Sequence, residues 1–148
     1  MDAKCYFYQT QIEWGKIRRG QLQGPGLPGL TVSTPPEFNG EAGFWTPEHL
    51  FVAAAEACLM ATFIGIAEKS RLGVAGYRSS ARGKLEFVDG GLRFTQIVIS
   101  PVVELERAED RELAGRVLAK AAKNCLIANS MALEMRVEPE FAARAAAA

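Results

Sequence analysis

The stretch from Thr46 to Ser70, TPEHLFVAAAEACLMATFIGIAEKS, limits the fold more than any other, because it is too apolar to face water on all sides. Thr46 can cap a helix with its hydroxyl. Pro47 suits the first turn, where its missing N–H costs nothing, and Glu48 sets a negative charge at the positive end of the helix dipole. From Leu50 to Ala67 the only ionisable side chains are Glu56 and Cys58, and alanines at 53, 54, 55, 57, 61 and 67 leave thin faces for close packing. Lys69, Arg71 and Gly73 then supply a basic last turn and a stop. The spacing predicts a long central helix with a cysteine near its middle. Its apolar run approaches the length of about 17 residues that a membrane span needs. The glutamate within it, the alanines in place of larger aliphatics and the amphipathic strands elsewhere favour a helix buried in a soluble fold, with no membrane partner.

The rest of the chain reads as strands with one more helix. Cys5–Trp14 alternates aromatic and β-branched residues and predicts a strand, with Lys16–Gln23 as its hairpin partner and Leu30–Thr34 as a short third strand ending at Pro35-Pro36. Arg18 and Arg19 are adjacent, so in extended chain only one of them faces inward. Beyond the central helix, Tyr77–Val88 and Leu92–Leu105 are joined by Asp89-Gly90-Gly91, a hairpin signal, the second strand being internal as far as Pro101. Glu109–Asn124 carries apolar residues at helical spacing and predicts an amphipathic helix, with Cys125 at its end. A polar link through Asn129-Ser130 leads to a last strand, Met131–Val137, and then to residues 141–148, read as a frayed tail. This order predicts an α+β fold of antiparallel sheets, as a single domain over residues 1–148.

Seventeen basic and seventeen acidic residues cancel, so nothing in the overall charge draws the chain to nucleic acid. Cys5, Cys58 and Cys125 form no CxxC pair and the only histidine is His49, which argues against a structural zinc site. An odd, sparse set of cysteines fits a reducing compartment, and the N-terminus MDAKCYFYQTQ lacks the apolar core of a secretory signal, so a cytoplasmic protein is expected. No phosphate-binding glycine pattern opens either helix. A thiol in mid-helix is beyond the reach of the helix dipole and becomes nucleophilic only with a nearby cation or hydrogen-bond donor. The candidate cations in another element are Arg18 and Arg19, and a carboxylate at the helix start would hold whichever is used. The bland alternative makes Cys58 and Cys125 small apolar fillers, Glu48 a dipole-complementing residue and the arginines a solvated strand edge.

PEHLFVAAAEACLMATF (Pro47–Phe63) resembles the segment PE-x-L-(F/L)-x-A-A-x-x-x-C of the osmotically inducible protein C and organic hydroperoxide resistance family. KNCLIANSM (Lys123–Met131) resembles that family's second cysteine segment, typically C-P-(Y/V)-S-(N/K), with Leu126 and Ala128 in place of the proline and serine. The resemblance implies antiparallel sheets wrapped around the long helix, in an intertwined homodimer. It implies a thiol peroxidase in which Cys58 is the peroxidatic cysteine, Cys125 the resolving cysteine, and Glu48 the carboxylate that orients an arginine on the thiolate. A stretch resembling R-x-G fits Arg18-Arg19-Gly20 and selects Arg18; a slip of one residue selects Arg19. It further implies a hydroperoxide substrate, an external dithiol as reductant, and no bound cofactor. Phe44, Trp45, Phe51 and Phe63 could line an organic pocket. The rival is a non-catalytic dimer of the same fold that binds an apolar small molecule.

Overall fold

The computed structural model describes residues 3–145, which divide after Phe51 into two units. The first holds an antiparallel sheet of β1 (Gln11–Trp14), β2 (Arg19–Gln23) and β3 (Leu30–Ser33), in that order. The strand expected from Cys5 starts only at Gln11. Its partner residue there is Gln23, after which Gly24-Pro25 ends β2, so the preceding residues have no ladder to join. The β1–β2 turn puts Ile17 at φ 53, a costly conformation for a β-branched residue. The Trp14 indole N–H holds it there by donating to the Ile17 carbonyl at 3.0 Å. Gly40 is obligatory for a different reason: a Cβ at that position would lie 1.4 Å from the Thr34 carbonyl oxygen.

Helix α1 (Pro47–Lys69) begins as its sequence predicts, with the Thr46 hydroxyl accepting the His49 backbone N–H at 3.1 Å. It ends at Lys69, and the residue that stops it is Arg71 instead of Gly73. Arg71 takes the left-handed conformation (φ 55), and the Leu72 N–H bonds back to the Ala67 carbonyl at 2.9 Å.

In the second unit, β4 (Val74–Val88) and β5 (Gly91–Leu105) form the expected hairpin, with Asp89 and Gly90 both at positive φ in the turn. The sheet is mixed, not purely antiparallel, because β6 (Glu134–Val137) and β7 (Glu140–Ala143) both pair parallel to β5. This arrangement also explains how Pro101 is tolerated in mid-strand. β6 pairs with Gln96–Ile99 and β7 with Val102–Leu105, so the proline, with no N–H to give, falls in the gap between them. Residues 141–143 therefore belong to a strand, contrary to the frayed tail expected; 146–148 lie outside the described residues.

Helix α2 (Arg111–Lys123) buries Ala114, Val117, Leu118 and Ala121, the stripe its periodicity predicts. Where a polar link was expected, Cys125 instead caps a one-turn helix, α3 (Leu126–Asn129). The core stripe of α1 is Ala55, Leu59, Phe63 and Ala67, four residues apart throughout. Within this unit α1 packs on one face of β4. Phe63 and Tyr77 have ring centroids 5.6 Å apart, Ser79 donates to Glu56 at 2.6 Å, and Gly83 leaves room for Val52, whose Cγ2 would be 2.5 Å from a Cβ there.

The opposite side of α1 leaves Ala54, Ala57, Met60 and Ala61 exposed. Among the described residues α1 is the one helix long and apolar enough to cross a membrane, with 22% of its most apolar window buried. Phe63 is fully buried, and replacing it by alanine removes both transfer energy and packing, so Phe63→Ala should cost about 3–5 kcal/mol in urea unfolding. A loss below about 1 kcal/mol would mean that Phe63 does not occupy the close-packed site described.

Candidate active site

The second unit brings Cys58 and Cys125 together. Cys58 lies mid-way along α1 and is half-exposed, whereas Cys125, between α2 and α3, is fully buried. Both are free thiols. The Cys125 sulfur lies 4.0 Å from the Ala55 carbonyl oxygen one helical turn before Cys58, and the Thr62 hydroxyl lies 3.9 Å from the Cys58 sulfur one turn after it. Alanine at 55 has no side chain beyond Cβ to keep the Cys125 loop away from the α1 backbone.

The two thiols are pushed in opposite directions. Burial alone would raise the Cys58 pKa. The Ile127 backbone N–H, the Cys125 thiol, the Thr62 hydroxyl and the Leu126 backbone N–H, in that order, outweigh burial and lower the pKa from the ordinary thiol value. Cys125 is raised, first by burial and also by the neighbouring Cys58 sulfur, with the Ala128 N–H opposing. The pair thus combines a thiol that ionises more readily with one that keeps its proton. The groups that lower Cys58 within this unit are neutral. Sequence reasoning missed the amides of Leu126 and Ile127. The available signal was Leu126 itself, since the proline usual at that position has no N–H to donate.

The expected Arg18–Glu48 pair does not form. In the first unit Arg18 is exposed and lines an apolar cleft of about 380 Å³ with Ile12, Trp14, Ile17 and Val32. Arg19 is the held guanidinium. Its Nη2 donates to Glu41 Oε1 at 3.1 Å, its Nε faces Glu41 Oε2 as an ion pair, and its Cζ sits 4.9 Å from the centre of the Phe44 ring. Glu48 keeps one oxygen, Oε2, buried without a hydrogen-bond partner. His49 serves the helix cap, its Nδ1 2.7 Å from the Thr46 hydroxyl, and its ring meets Trp45 edge-on at 6.3 Å. Of the aromatics proposed for a pocket, Phe63 is core, Phe44 stacks under Arg19 and Trp45 is exposed. Among the described residues no group of three or more His, Cys, Asp or Glu could hold a metal ion.

A family model described as OsmC-like protein matches residues 40–140. The uncharacterized protein YmaD of Bacillus subtilis is 26% identical over 116 residues, covering 76% of each chain. Among solved structures, an OsmC-like protein of unknown function from Vibrio cholerae superposes with a TM-score of 0.84 at 24% identity, covering 91% of this chain and 99% of its own. An organic hydroperoxide resistance protein from Elizabethkingia anophelis gives 0.77 at 17% identity, with 93% and 98% covered. At these identities the structures establish a shared fold.

Site-resolved alkylation across pH should give Cys58 a midpoint below the ordinary thiol value of about 8.5, with Cys125 reacting only above it. Because only the thiolate reacts, lowering the pKa extends reactivity toward lower pH. Thr62→Val removes a donor and should move the Cys58 midpoint upward; an unchanged midpoint would eliminate Thr62 as a contributor.

Proposed function

This chain belongs to the OsmC-like protein family, and on that footing we propose that it is a thiol peroxidase reducing organic hydroperoxides. The observation that best supports this reading is the opposed pair in the second unit, a half-exposed Cys58 with lowered pKa beside a buried Cys125 with raised pKa, each acting on the other's titration. The Cys58 thiolate attacks the distal oxygen of the hydroperoxide. An S–O bond forms as the O–O bond breaks, the departing alkoxide takes a proton from water and leaves as the alcohol, and Cys58 becomes a sulfenic acid. Cys125 then attacks the Cys58 sulfur, water departs, and a disulfide closes. An external dithiol returns both sulfurs to thiols by exchange. The cycle uses no metal, haem or flavin and suits a reducing cytoplasm.

The working form is a homodimer. Its support is the apolar face of α1 in the second unit that one chain leaves open, Ala54, Ala57, Met60 and Ala61.

Cys58→Ser should abolish consumption of an alkyl hydroperoxide; if it consumes peroxide as fast as the parent, the reading fails. Cys125→Ser, without added thiol, should consume about one equivalent of peroxide per chain and accumulate a sulfenic acid that a cyclic 1,3-diketone traps, where the parent forms a disulfide. Sedimentation at micromolar concentration should give the mass of two chains; a single-chain mass would remove the dimer from the proposal.

A further inference from the structure

We infer that Asn129 is the positioning residue for Cys125, gripping the chain on both sides of that thiol so that it is held where a disulfide with Cys58 can close. The inference rests on the peroxide reaction proposed above, and its structural ground lies wholly within the second unit. Helix α2 ends without the left-handed glycine that stops many helices, since its C-cap is Asn124 with a negative φ. The last four carbonyls of the helix therefore need donors from elsewhere. Three are met at once. The Asn124 backbone N–H reaches the Lys120 and Ala121 carbonyls at 3.1 and 3.2 Å, the Asn124 side chain donates to Lys120 at 2.8 Å, and the Cys125 N–H reaches Ala122 at 3.4 Å. The fourth carbonyl, that of Lys123, is met by the side chain of Asn129, whose Nδ2 donates to it at 3.0 Å.

Asn129 also donates its backbone N–H to the Cys125 carbonyl at 2.9 Å. One residue thus closes two rings around the cysteine, one through Lys123 just before it and one through its own carbonyl. Cys125 is extended, so the chain changes direction at the thiol, and no side chain caps the turn from that end. The turn keeps other bonds of its own, from Ser130 Oγ to the Leu126 carbonyl at 2.8 Å and from the Ser130 N–H to the Ile127 carbonyl at 3.0 Å. What the Asn129 side chain adds is the tie between this turn and the last carbonyl of α2. Held from both directions, the Cys125 sulfur stays 4.0 Å from the Ala55 carbonyl, one helical turn before Cys58. The two thiols act on each other's titration there.

Asn129 acts through Cys125. In the closing step the Cys125 sulfur bonds to the Cys58 sulfur of the sulfenic acid as the S–O bond breaks, and the departing hydroxide leaves as water with the Cys125 proton. That step is intramolecular, so its rate depends on how closely the attacking sulfur is held. Asn129 is exposed, and replacing it opens no cavity in the core. The test uses the full chain, reduced, with two oxidants. One is a single equivalent of an alkyl hydroperoxide. The other is excess diamide, which adds to the Cys58 thiolate and is displaced by Cys125 as the hydrazine, carrying both thiol hydrogens. Quenching by alkylation at intervals follows the free thiols, and a cyclic 1,3-diketone traps sulfenic acid. Asn129→Leu keeps the size and loses the donor. Closure in it should be about three- to tenfold slower with either oxidant, while Cys58 sulfenic acid forms within about twofold of the parent rate. Asn129→Gln, which keeps an amide N–H, should recover part of the closure rate. A general disturbance of the fold would slow both steps together.

Closure at the parent rate in Asn129→Leu overturns the inference, and so does equal slowing of sulfenic acid formation and closure. Asn129→Gln as slow as Asn129→Leu overturns it too, since the donor would then not be what holds Cys125. If the parent consumes no peroxide, the reaction proposed above fails and the diamide rates alone decide. Slower closure in Asn129→Leu then supports the positioning role, and an equal rate overturns it.

Discussion

A charged sulfur inside a protein survives only where donors to it outweigh what burial takes away, and at Cys58 that balance is struck by neutral groups. Two of them are consecutive backbone amides, those of Leu126 and Ile127, at the start of a one-turn helix. Amides in a turn have no rotamers to lose, so they present the same donors before and after the sulfur ionises. The site in the second unit depends on bringing that turn against the middle of α1, and alanine is what α1 presents there. Cys125 reaches the Ala55 carbonyl at 4.0 Å, an approach that a larger residue at 55 would obstruct.

The surrounding elements hold that turn in place. α2 runs straight into Cys125, and the Asn129 N–H returns to the Cys125 carbonyl at 2.9 Å, so the buried thiol lies between two helices. After α3 the chain rejoins the sheet through β6 and β7, both on β5, which ties the segment following Cys125 to a central strand. Pro101 is part of that arrangement. A strand that needed every N–H on this edge could not accommodate it, whereas one that serves two short partners in succession can.

Much of this was legible in the residues. The limits of α1 followed from Thr46, Pro47 and the apolar run, the β4–β5 turn from Asp89-Gly90, and the α2 stripe from its spacing, because each is a local signal with a local cause. Residues 5–10 misled because alternation describes a strand's faces and says nothing of whether a partner exists. The parallel docking of β6 and β7 was hidden for the related reason that pairing between distant segments leaves no mark in either one. At the site, both cysteines could be singled out, but backbone donors are invisible to a search for charged side chains. Glu41 was hidden too, since it reaches Arg19 only once Gly40 and Ser33 have shaped the loop.

The separation of donors from charge bears on what an arginine could add. A cation that merely helped Cys58 to ionise would duplicate what the amides, Thr62 and Cys125 already do, and a more stable thiolate is also a weaker nucleophile. As the O–O bond stretches, negative charge moves from sulfur to the departing oxygen, which fixed donors around the sulfur do not follow. A guanidinium is suited to that later charge, because an interaction that strengthens only in the transition state speeds the reaction, whereas equal stabilisation of both states does not. On this view the protein divides the work. Rigid backbone prepares the nucleophile, and stabilisation of the departing oxygen has to come from groups other than those donors.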